Sequence, residues 1–389
     1  MKILYLTSRI PYPIDKGDKL RAYHQIKHLS ENHEISLFSL NEESNNQLNY
    51  SELEKYCSKI FVEKLGKFEI IKNIFFHLFS KLPFQVSYFY SKRIQKKINK
   101  IIDIEKPDLI FCQLIRMAEY VINQKKYSRL IDYVDILSKG LERRAEIANL
   151  FLKPVLIWEY NKVKNYEKNC FEKFNEHIII TKQDRDLLAF KEKEKVHIIP
   201  NGIDTDYFKP LNNTKKYDIL FTGNLSYPPN IEAALYLVKK ILPKLLEVQP
   251  EIKILIAGAS PSKKVLSLSS TNVAIKSWAD DIRDYYSVTK IYVAPLQIGT
   301  GLQNKLLEAM AMGLPCITSP LSQQGINAPV GEVLLTADSP EKYFKLIYKL
   351  LYEQEFSQSL SINAIKFVSE NFDWVKIVET LENNILNAE

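Results

Sequence analysis

The sequence predicts an α/β fold of two doubly wound, parallel-sheet domains. Three observations support this prediction. The chain has 389 residues, more than one ordinary hydrophobic core accommodates. Short β-branched runs alternate with amphipathic stretches along its whole length, which is typical of parallel strands joined by crossover helices. The alternation stops at a turn-rich stretch at 201–212 and then begins again, which indicates a linker there.

Each strand is predicted from a short apolar run bounded by polar or turn-forming residues. In the first half of the chain these runs are 2–7, 34–40, 59–63, 108–113, 130–134, 177–181 and 196–200. In the second half they are 218–222, 253–257, 273–277, 291–295, 316–319 and 333–335. Amphipathic helices are predicted at 231–246, 302–312, 341–352 and 356–371. Ligands of open α/β sheets bind beyond the carboxyl ends of the strands, so the loops there are the candidate sites.

Composition narrows the class of protein. A hydrophobic fraction of 46% and a charged fraction of 25% are typical of a folded globular chain. No run approaches the roughly 18 apolar residues of a spanning helix, and the N-terminal apolar run lacks a small-residue cleavage site, so we interpret it as a strand. The cysteines Cys57, Cys112, Cys170 and Cys316 contain no close pair, which excludes a CxxC metal or redox site and favours a cytoplasmic protein.

The net charge of +7 is concentrated in one segment. Residues 64–100 contain nine Lys or Arg, one acid and eight aromatic residues. Basic residues interleaved with aromatics suggest an anionic partner, and because no nucleic-acid motif accompanies them we expect membrane head groups rather than nucleic acid. This interpretation predicts a cytoplasmic protein that is peripheral on the inner face of the membrane. The alternative is a solvated helix pair whose aromatics face the core.

The strongest motif is APLQIGTGLQNKLLEAMAMGLPCITS, a strand, a glycine-bearing loop, a helix and another strand. Gly299 and Gly301 let the backbone approach a ligand, and free amides at the start of a helix suit phosphate. Gly301, Lys305 and Glu308 are spaced to share one helix face. Glu308 lies among apolar residues, where an unpaired carboxylate is costly. If the helix begins at Leu302, a rise of about 1.5 Å per residue places Glu308 roughly 9 Å further along. This is about the distance from the diphosphate to the ribose hydroxyls of a nucleotide sugar.

This segment resembles the C-terminal signature of retaining glycosyltransferase family four, in which a Glu-rich motif ends in LEAMAxGxPV. The family glutamate that binds the ribose matches Glu308. The glutamate eight positions earlier, which contacts the donor sugar in the family, is Thr300 here, so that contact falls to a hydroxyl and backbone amides. The pattern GxQNKxLEAMAMG is most similar to sugar transferases of exosortase-associated (PEP-CTERM) exopolysaccharide systems, and we also assign its Leu302 and Gln303 to the donor site.

The resemblance extends over nearly the whole chain and implies the GT-B fold, with two Rossmann-like domains facing across a cleft. The first, acceptor-side domain is then 1–205 and the nucleotide-sugar-binding domain is 206–371. The final segment, about 372–389, resembles the helix that crosses back onto the first domain.

The loop after the first strand, SRIPYPIDKGDKLRAYHQ, resembles the glycine-containing family loop that contacts donor phosphate and acceptor. Gly17 matches its glycine. Lys16, Asp18 and Arg21 surround it on the acceptor side, and Arg21 is a further candidate cation for the phosphate. The alternative is a plain β–α loop in which Asp18 caps the following helix.

The loop FTGNLSYPPN follows the first strand of the second domain, and we assign Gly223, Asn224 and Asn230 to the donor site. The family has basic residues here that bind the diphosphate, but Asn224 and Pro229 occupy those positions. The phosphate charge is therefore expected to fall on Lys305 and on the helix amides.

Three further residues are candidates. Trp278 follows another strand and either stacks on the base or packs in the core. The stretch IDYVDILS resembles the subgroup pattern DxVDxxS, which implies that Asp135 and Ser138 face the cleft opposite the donor. Asp135 then either orients or deprotonates an acceptor hydroxyl or caps the following helix.

Asp204-Thr205-Asp206 spells a DxD metal motif, but it lies in PNGIDTDYFKP, which resembles the interdomain linker of the family. No carboxylates cluster around it in the sequence. We therefore predict chemistry without a metal and without a cofactor, in which the nucleotide sugar is a substrate.

The predicted activity is transfer of a sugar from a nucleoside diphosphate sugar to a hydroxyl of a glycan or lipid-linked glycan. The resemblance implies retention of configuration, with the donor's own phosphate helping to deprotonate the acceptor as two domains close. Gly17, Asp135, Thr300 and Lys305 are the predicted catalytic group. One alternative is a nucleotide-sugar epimerase of the same fold, although its expected His and Glu cluster is not visible. The other is a non-catalytic partner subunit. This alternative stays open because Thr300 replaces the family glutamate, and Asn224 and Pro229 replace the basic residues that bind the diphosphate.

Overall fold

The computed structural model describes residues 1–41, 50–77, 80–146, 148–277, 281–298 and 301–386. The chain divides into two compact units. Unit 1 comprises Met1–Pro200 and Val378–Glu389, and unit 2 comprises Asn201–Ile377.

Within its described residues, unit 1 is built on a seven-stranded sheet in the order β3-β2-β1-β4-β5-β6-β7, with all pairings parallel. The strands are β1 Lys2–Thr7, β2 Glu34–Asn41, β3 Lys59–Lys64, β4 Leu109–Gln113, β5 Ser128–Asp132, β6 Glu176–Ile179 and β7 His197–Ile198. The helices are α1 Gly17–Leu29, α2 Lys67–His77, α3 Phe84–Phe89, α4 Lys92–Glu105, α5 Ile115–Ala118, α6 Leu137–Glu146, α7 Lys153–Lys173 and α8 Lys182–Leu187, with short 3₁₀ helices at Leu53–Lys55 and Lys193–Lys195.

Unit 2 contains a six-stranded sheet in its described part, in the order β10-β9-β8-β11-β12-β13, and its pairings are also parallel. The strands are β8 Tyr217–Thr222, β9 Ile254–Ala257, β10 Val273–Lys276, β11 Thr289–Ala294, β12 Cys316–Thr318 and β13 Leu335–Thr336. The helices are α9 Pro228–Tyr236, α10 Leu242–Leu246, α11 Lys263–Leu266, α12 Arg283–Ser287, α13 Asn304–Ala311, α14 Pro320–Ile326, α15 Pro340–Tyr352, α16 Gln354–Asn371 and α17 Trp374–Leu381. A π-helical segment, Leu237–Ile241, joins α9 to α10. The division between the units falls within α17, after Ile377, so the π-helical segment Glu382–Leu386 that follows α17 belongs to unit 1.

Each unit has its own hydrophobic core. The central strands are buried along nearly their whole length, as β4 illustrates with all five residues inaccessible. A strand in a parallel sheet with helices on both faces must be apolar on both faces. This requirement explains why the strands are visible in the sequence as continuous apolar runs.

The prediction of two parallel-sheet α/β domains is confirmed. Every predicted strand overlaps a strand of the structure, with ends that differ by a few residues. One helix boundary matters for the site and was predicted wrongly. Helix α13 begins at Asn304 rather than Leu302, because Gly301 has φ +90° and Gln303 has φ −93° and ψ 88°, neither of which is helical. The estimate of 9 Å from Leu302 to Glu308 therefore counted residues outside the helix.

Candidate active site

The loop that leads into α13 is held against a neighbouring helix by a glycine. A Cβ atom at Gly325 of α14 would lie 2.4 Å from the carbonyl oxygen of Gly301, so only glycine fits at that position. A Cβ atom at Gly301 itself would meet nothing within 4 Å. One side of the loop is therefore packed on α14, and the space beside the α-carbon of Gly301 is open. The sequence analysis missed Gly325 because no motif surrounds it.

The first turn of α13 presents unused amide groups. The amides of Leu306 and Leu307 bond to the carbonyl of Gln303, at 2.9 and 3.3 Å. In the part of the chain that the structure describes, no backbone acceptor is bonded to the amides of Asn304 and Lys305. Such amides at the start of a helix favour an anion. Leu302 and Gln303 lie half-buried immediately before this turn.

Glu308 is buried in α13, with 4% of its surface exposed, and it has partners. Its Oε2 accepts a hydrogen bond from the Tyr286 hydroxyl at 2.9 Å. Lys305 Nζ lies 2.9 Å from Oε1 and 3.1 Å from Oε2. The Lys305 side chain is 45% exposed, whereas that of Glu308 is 5% exposed. The predicted spacing on one helix face thus produces an ion pair between a solvent-accessible cation and a buried carboxylate.

Tyr286 connects Glu308 to the ends of two strands. Its hydroxyl oxygen lies 3.1 Å from Thr222 Oγ1 at the end of β8, and Thr222 Oγ1 lies 3.2 Å from the Tyr292 hydroxyl in β11. Burial, together with the nearby charge of Glu308, holds the pKa of Tyr286 well above its usual range. Its hydroxyl therefore stays protonated and can donate. Tyr286 could not be identified from the sequence, because a tyrosine in a short helix carries no local signal.

The β8–α9 loop is shaped by its own side chains. Asn230 Nδ2 donates to the carbonyl of Asn224 at 2.9 Å, and Asn224 Oδ1 accepts from the amide and hydroxyl of Ser226, at 3.0 and 2.7 Å. A Cβ atom at Gly223 would lie 2.7 Å from Asn230 Nδ2. A Cβ atom at Gly258 would lie 1.7 Å from the Gly223 carbonyl oxygen. Gly223 and Asn230 therefore fix the backbone of the loop, while Asn224 is exposed.

Three predicted donor-site residues, Trp278, Gly299 and Thr300, lie outside the described residues. Their assignments to the base, the phosphate and the sugar stay predictions.

Gly17 and its neighbours begin α1 in unit 1. Gly17 and Lys16 are exposed, and a Cβ atom at Gly17 would meet nothing within 4 Å. The N-cap residue is Lys16, and no side chain caps the helix. The carboxylate of Asp18 instead accepts from Arg9 Nη1 at 2.8 Å. The alternative in which Asp18 caps this helix is therefore wrong.

Arg21 is not a surface cation, and this expectation is corrected. It is fully buried, its Nε donates to Asp132 Oδ2 at 2.5 Å, and its Nη1 donates to the Pro200 carbonyl at 3.2 Å. Removing one partner from a buried ion pair leaves a costly uncompensated charge. Because α1 turns Arg21 toward the end of β5 inside unit 1, it stabilises the fold and is not placed to bind phosphate or acceptor.

Ser138 is also buried, which corrects the expectation that it faces an acceptor. Its hydroxyl donates to Glu167 Oε2 at 2.6 Å, and its amide donates to Glu167 Oε1 at 3.1 Å. Glu167, on α7, thus satisfies an amide in the first turn of α6. Burial raises the pKa of Glu167 to about 7, although both hydrogen bonds from Ser138 oppose this change.

Asp135 follows β5 and is exposed. No hydrogen bond joins its carboxylate to another residue in the described part of the chain, so the helix-capping alternative has no support. Although Asp135 is exposed, desolvation by the surrounding protein raises the pKa of its carboxyl to about 6, and the nearby carboxylates of Asp184 and Asp18 add to this effect. Asp135 therefore has the properties of a weak general base near neutral pH.

The Asp204-Thr205-Asp206 stretch forms a turn. Asp204 Oδ1 accepts from the Tyr207 amide at 2.9 Å, and the Thr205 hydroxyl bonds to the Asp373 carboxylate. The described residues contain no group of three or more His, Cys, Asp or Glu arranged to hold a metal ion.

The basic segment 64–100 forms α2, α3 and α4. Helix α4 buries Ile94, Ile98 and Ile102, and of the aromatic residues Phe89 in α3 is buried. Helix α2 differs, because Phe68, Ile71 and Phe75 are 82%, 67% and 67% exposed. The spacing of these three residues places them along one side of the helix. The apolar residues of the segment are therefore exposed on α2 and buried on α4, and membrane contact stays a prediction.

Arg93 and Lys97, on α4, both pair with Glu63 at the end of β3. Arg93 Nη1 and Lys97 Nζ lie 2.8 and 2.5 Å from the Glu63 carboxylate. Lys92, Lys96 and Lys100 are exposed on the same helix.

A second exposed apolar stretch precedes and begins α7. Leu150 and Phe151 are 87% and 91% exposed, and Trp158 in α7 packs on Phe84 of α3 with ring centroids 5.5 Å apart. Helix α2 contacts α3, as does α7 through Trp158. Among the described helices, none is both long enough and apolar enough to span a bilayer.

Residues 216–353, which include α13, match the profile of the family described as Glycosyl transferases group 1. Two curated relatives extend over most of the chain. An uncharacterized 44.6 kDa protein in the cps region of Klebsiella pneumoniae is 24% identical, and the match covers 98% of this chain and 98% of that protein. An uncharacterized glycosyltransferase of Methanocaldococcus jannaschii is 23% identical over 91% of this chain and 90% of its own.

Solved structures show the same architecture. Sucrose-phosphate synthase of Thermosynechococcus elongatus superposes with a TM-score of 0.72 at 14% identity, over 99% of this chain and 98% of its own. HepE of Anabaena, solved in complex with UDP and glucose, superposes with a TM-score of 0.69 at 14% identity over the whole of both chains. These likenesses show that the chain has the GT-B fold. Together with the family match, they support a glycosyltransferase.

Proposed function

We propose that the protein is a glycosyltransferase that takes its sugar from a nucleoside diphosphate sugar bound in unit 2. The observation that carries this proposal is the arrangement at α13. The helix starts with two unused amides, those of Asn304 and Lys305, and the buried carboxylate of Glu308 lies one turn further along. The side chain of Lys305 contacts that carboxylate. The amides suit an anionic group of a ligand, and the carboxylate suits a pair of hydroxyls of the same ligand. The complexes of HepE with UDP-glucose and with UDP support a nucleotide sugar as the donor.

In the proposed complex the diphosphate lies at the start of α13, against the amides of Asn304 and Lys305. The ribose hydroxyls donate to Glu308, whose two oxygens can accept more hydrogen bonds than they receive from Lys305 and Tyr286. The Lys305 ammonium is exposed and flexible enough to neutralise Glu308 before the donor binds and to contact phosphate afterwards. The loop that carries Gly223 and Asn230 forms the other wall of this donor site.

The proposed reaction is attack of an acceptor hydroxyl on the anomeric carbon. The bond from that carbon to the diphosphate oxygen breaks, and the hydroxyl proton passes to the leaving phosphate. Because the hydroxyl must then lie on the face that the phosphate leaves, the configuration at the anomeric carbon is retained. Asp135 orients the acceptor hydroxyl, Gly17 admits it close to the backbone, and Thr300 contacts the transferred sugar. The amides and Lys305 stabilise the charge on the leaving diphosphate. No metal and no cofactor take part in the proposed step.

We also propose that the acceptor is a glycan, carried on lipid, and that unit 1 contacts the anionic inner face of the cell membrane. The exposed apolar residues of α2 and of the stretch before α7 support this proposal, since clustered exposed apolar side chains, such as Phe68, Ile71 and Phe75 on α2, mark interaction sites. Exposed lysines on α4 supply charge complementary to anionic lipid. The 150–151 stretch extends the surface beyond the basic segment 64–100.

Release of nucleoside diphosphate from a panel of nucleotide sugars tests the activity. We expect release that depends on an added extract of lipid-linked glycans, transfer of label into that extract, and no effect of EDTA. Nuclear magnetic resonance of the product reports whether configuration is retained.

The same experiment separates the two alternatives. An epimerase converts the sugar of the donor without labelling the extract. A non-catalytic partner subunit binds the nucleotide without releasing it from any sugar, and either result would replace the proposed function.

A further inference from the structure

Tyr286 and Lys305 both contact Glu308, but Tyr286 is fully buried whereas the Lys305 side chain is 45% exposed. We propose that Tyr286 is a positioning residue, which sets the Glu308 carboxylate for the two ribose hydroxyls and so determines the preference of the site for ribonucleotides. This inference rests on the proposed function, because it requires the ribose to lie at Glu308. The Tyr286 side chain is fully buried, and its hydroxyl donates to Glu308 Oε2 at 2.9 Å.

Lys305 is less suited to this role. It contacts both oxygens of Glu308, but its long side chain is 45% exposed and has four freely rotating bonds. In the proposed complex its charge is also drawn to the diphosphate. Tyr286 has a rigid ring packed in the core of unit 2, and burial keeps its hydroxyl protonated by raising its pKa. When the donor is bound, Tyr286 is therefore the partner that still fixes the carboxylate.

A chain of buried hydroxyls gives the Tyr286 hydrogen bond its direction. An ionised carboxylate only accepts, so Tyr286 must donate to Glu308, and its own oxygen is free to accept from Thr222. Thr222 in turn accepts from Tyr292, and hydrogen bonds arranged in this order strengthen one another. The carbonyl of Lys305 is a competing acceptor for Tyr286, but at 3.4 Å it is more distant than Glu308.

The test compares a ribonucleoside diphosphate with its 2′,3′-dideoxy analogue by calorimetry, using whichever of UDP, ADP and GDP binds the wild type most tightly. Tyr286→Phe keeps the ring and removes the hydroxyl. We expect it to weaken the ribonucleotide about tenfold, the scale of one hydrogen bond to a charged group, and to leave the dideoxy analogue unchanged. Tyr292→Phe is the matched comparison, because it removes a hydroxyl two links from Glu308, and it should lower the preference by less than Tyr286→Phe does.

A double-mutant cycle separates positioning from general damage to the site. In a Glu308→Ala background, Tyr286→Phe should have no further effect on affinity, since the group that it positions is gone. Thr222→Val should weaken the ribose preference by less than Tyr286→Phe does. If thermal unfolding shows that Tyr286→Phe does not fold, the Thr222→Val result decides, and an unchanged preference in that variant would overturn the inference.

The outcomes distinguish this inference from the function on which it rests. If the wild type binds the ribonucleotide and the dideoxy analogue equally, Glu308 does not bind the ribose, and both the donor mode and the inference fail. If the wild type prefers the ribonucleotide and Tyr286→Phe keeps that preference, the donor mode stands and Tyr286 has no positioning role.

Discussion

Lys305 is the residue on which the proposed phosphate contact depends most, because Asn224 and Pro229 supply no charge and Arg21 is buried. Lys305→Met keeps the length of the side chain and removes the cation. We expect turnover to fall by about tenfold or more, as for loss of a charged hydrogen bond, with little change in the midpoint of thermal unfolding.

Lys366→Met is a suitable control for that variant. Lys366 is a 71% exposed lysine of α16 that pairs with Glu370 at 4.0 Å, far along the chain from α13. It should have wild-type turnover. Wild-type turnover in Lys305→Met as well would place the phosphate charge on the amides of α13 alone.

Asp135 supplies a test by pH. Its pKa of about 6 means that the carboxylate form is lost as the pH falls below that value. If it orients the acceptor hydroxyl as a carboxylate, kcat/KM should decline below about pH 6, and Asp135→Asn should lower the rate and remove that decline. A pH profile that is unchanged in Asp135→Asn would exclude this role.

The stability of the same variant has a predictable sign. The pKa of Asp135 is raised from 3.8 to about 6 on folding, so the unfolded chain releases this proton first as the pH rises. The free energy of unfolding should therefore decrease between about pH 4 and pH 6 because of this group. Asp135→Asn should unfold at a higher temperature than the wild type at pH 7 to 8, and the two should converge below pH 4.

For single residues, the sequence predicted which ones belong to the α13 motif better than it predicted which side chains are buried and what they contact. The spacing correctly predicted that Lys305 and Glu308 share a helix face, but Gly301, predicted on the same face, lies outside the helix. The spacing gave no information on Tyr286, which is 22 residues from Glu308 in the sequence and meets it only in the folded chain. Arg21 and Ser138 were assigned to the acceptor side because the stretches around them resemble family loops. Their partners, Asp132 and Glu167, are distant in the sequence, so their burial could not be predicted locally.

Among the elements, the loop before α13 is tested by glycine substitutions. Gly325→Ala places a Cβ atom 2.4 Å from the Gly301 carbonyl oxygen, so the loop must move. We expect weaker binding of nucleoside diphosphate and a lower unfolding midpoint. Gly301→Ala strains a residue with φ +90° without a steric contact, and should also weaken binding if the open space beside it holds the phosphate.

Gly331 supplies the matched control. It has φ +93°, and a Cβ atom there would also meet nothing within 4 Å, but it lies outside the α13 loop. Gly331→Ala should therefore carry a similar cost in stability, about 1 to 2 kcal/mol for a residue forced into the left-handed region, with normal nucleotide binding. If Gly301→Ala and Gly331→Ala bind nucleotide equally well, the Gly301 loop does not contact the ligand.

The elements themselves were largely visible in the sequence. Strands buried on both faces appear as uninterrupted apolar runs, and all such runs became strands. The start of α13 could not be placed, because Leu302 and Gln303 are good helix formers and only the backbone of Gly301 and Gln303 keeps them outside the helix.

For the whole molecule, liposome co-sedimentation tests membrane contact. Binding should require anionic lipid and fall steeply with salt, since each Lys near anionic lipid contributes about 1 kcal/mol. Lys92, Lys96 and Lys100 changed together to Gln should weaken binding, whereas Arg93 and Lys97 are less informative targets because Glu63 pairs with both.

The apolar contribution needs its own variants. Phe68→Ser and Phe151→Ser should each reduce sedimentation, because they remove exposed apolar side chains from α2 and from the stretch before α7. Ile362→Ser in unit 2 removes an apolar side chain that is 65% exposed, and should have no effect. Equal sedimentation with neutral and anionic vesicles, or none with either, would contradict membrane contact and leave the transferase proposal unchanged.

The central claim is that unit 2 binds a nucleoside diphosphate with its ribose on Glu308. Calorimetry with UDP, ADP and GDP on the wild type and on Glu308→Ala tests it directly. The account predicts that at least one nucleotide binds the wild type and that Glu308→Ala weakens it by about tenfold or more, since two charged hydrogen bonds are lost, while the variant remains folded. Equal affinity of the two proteins for the same nucleotide would contradict it.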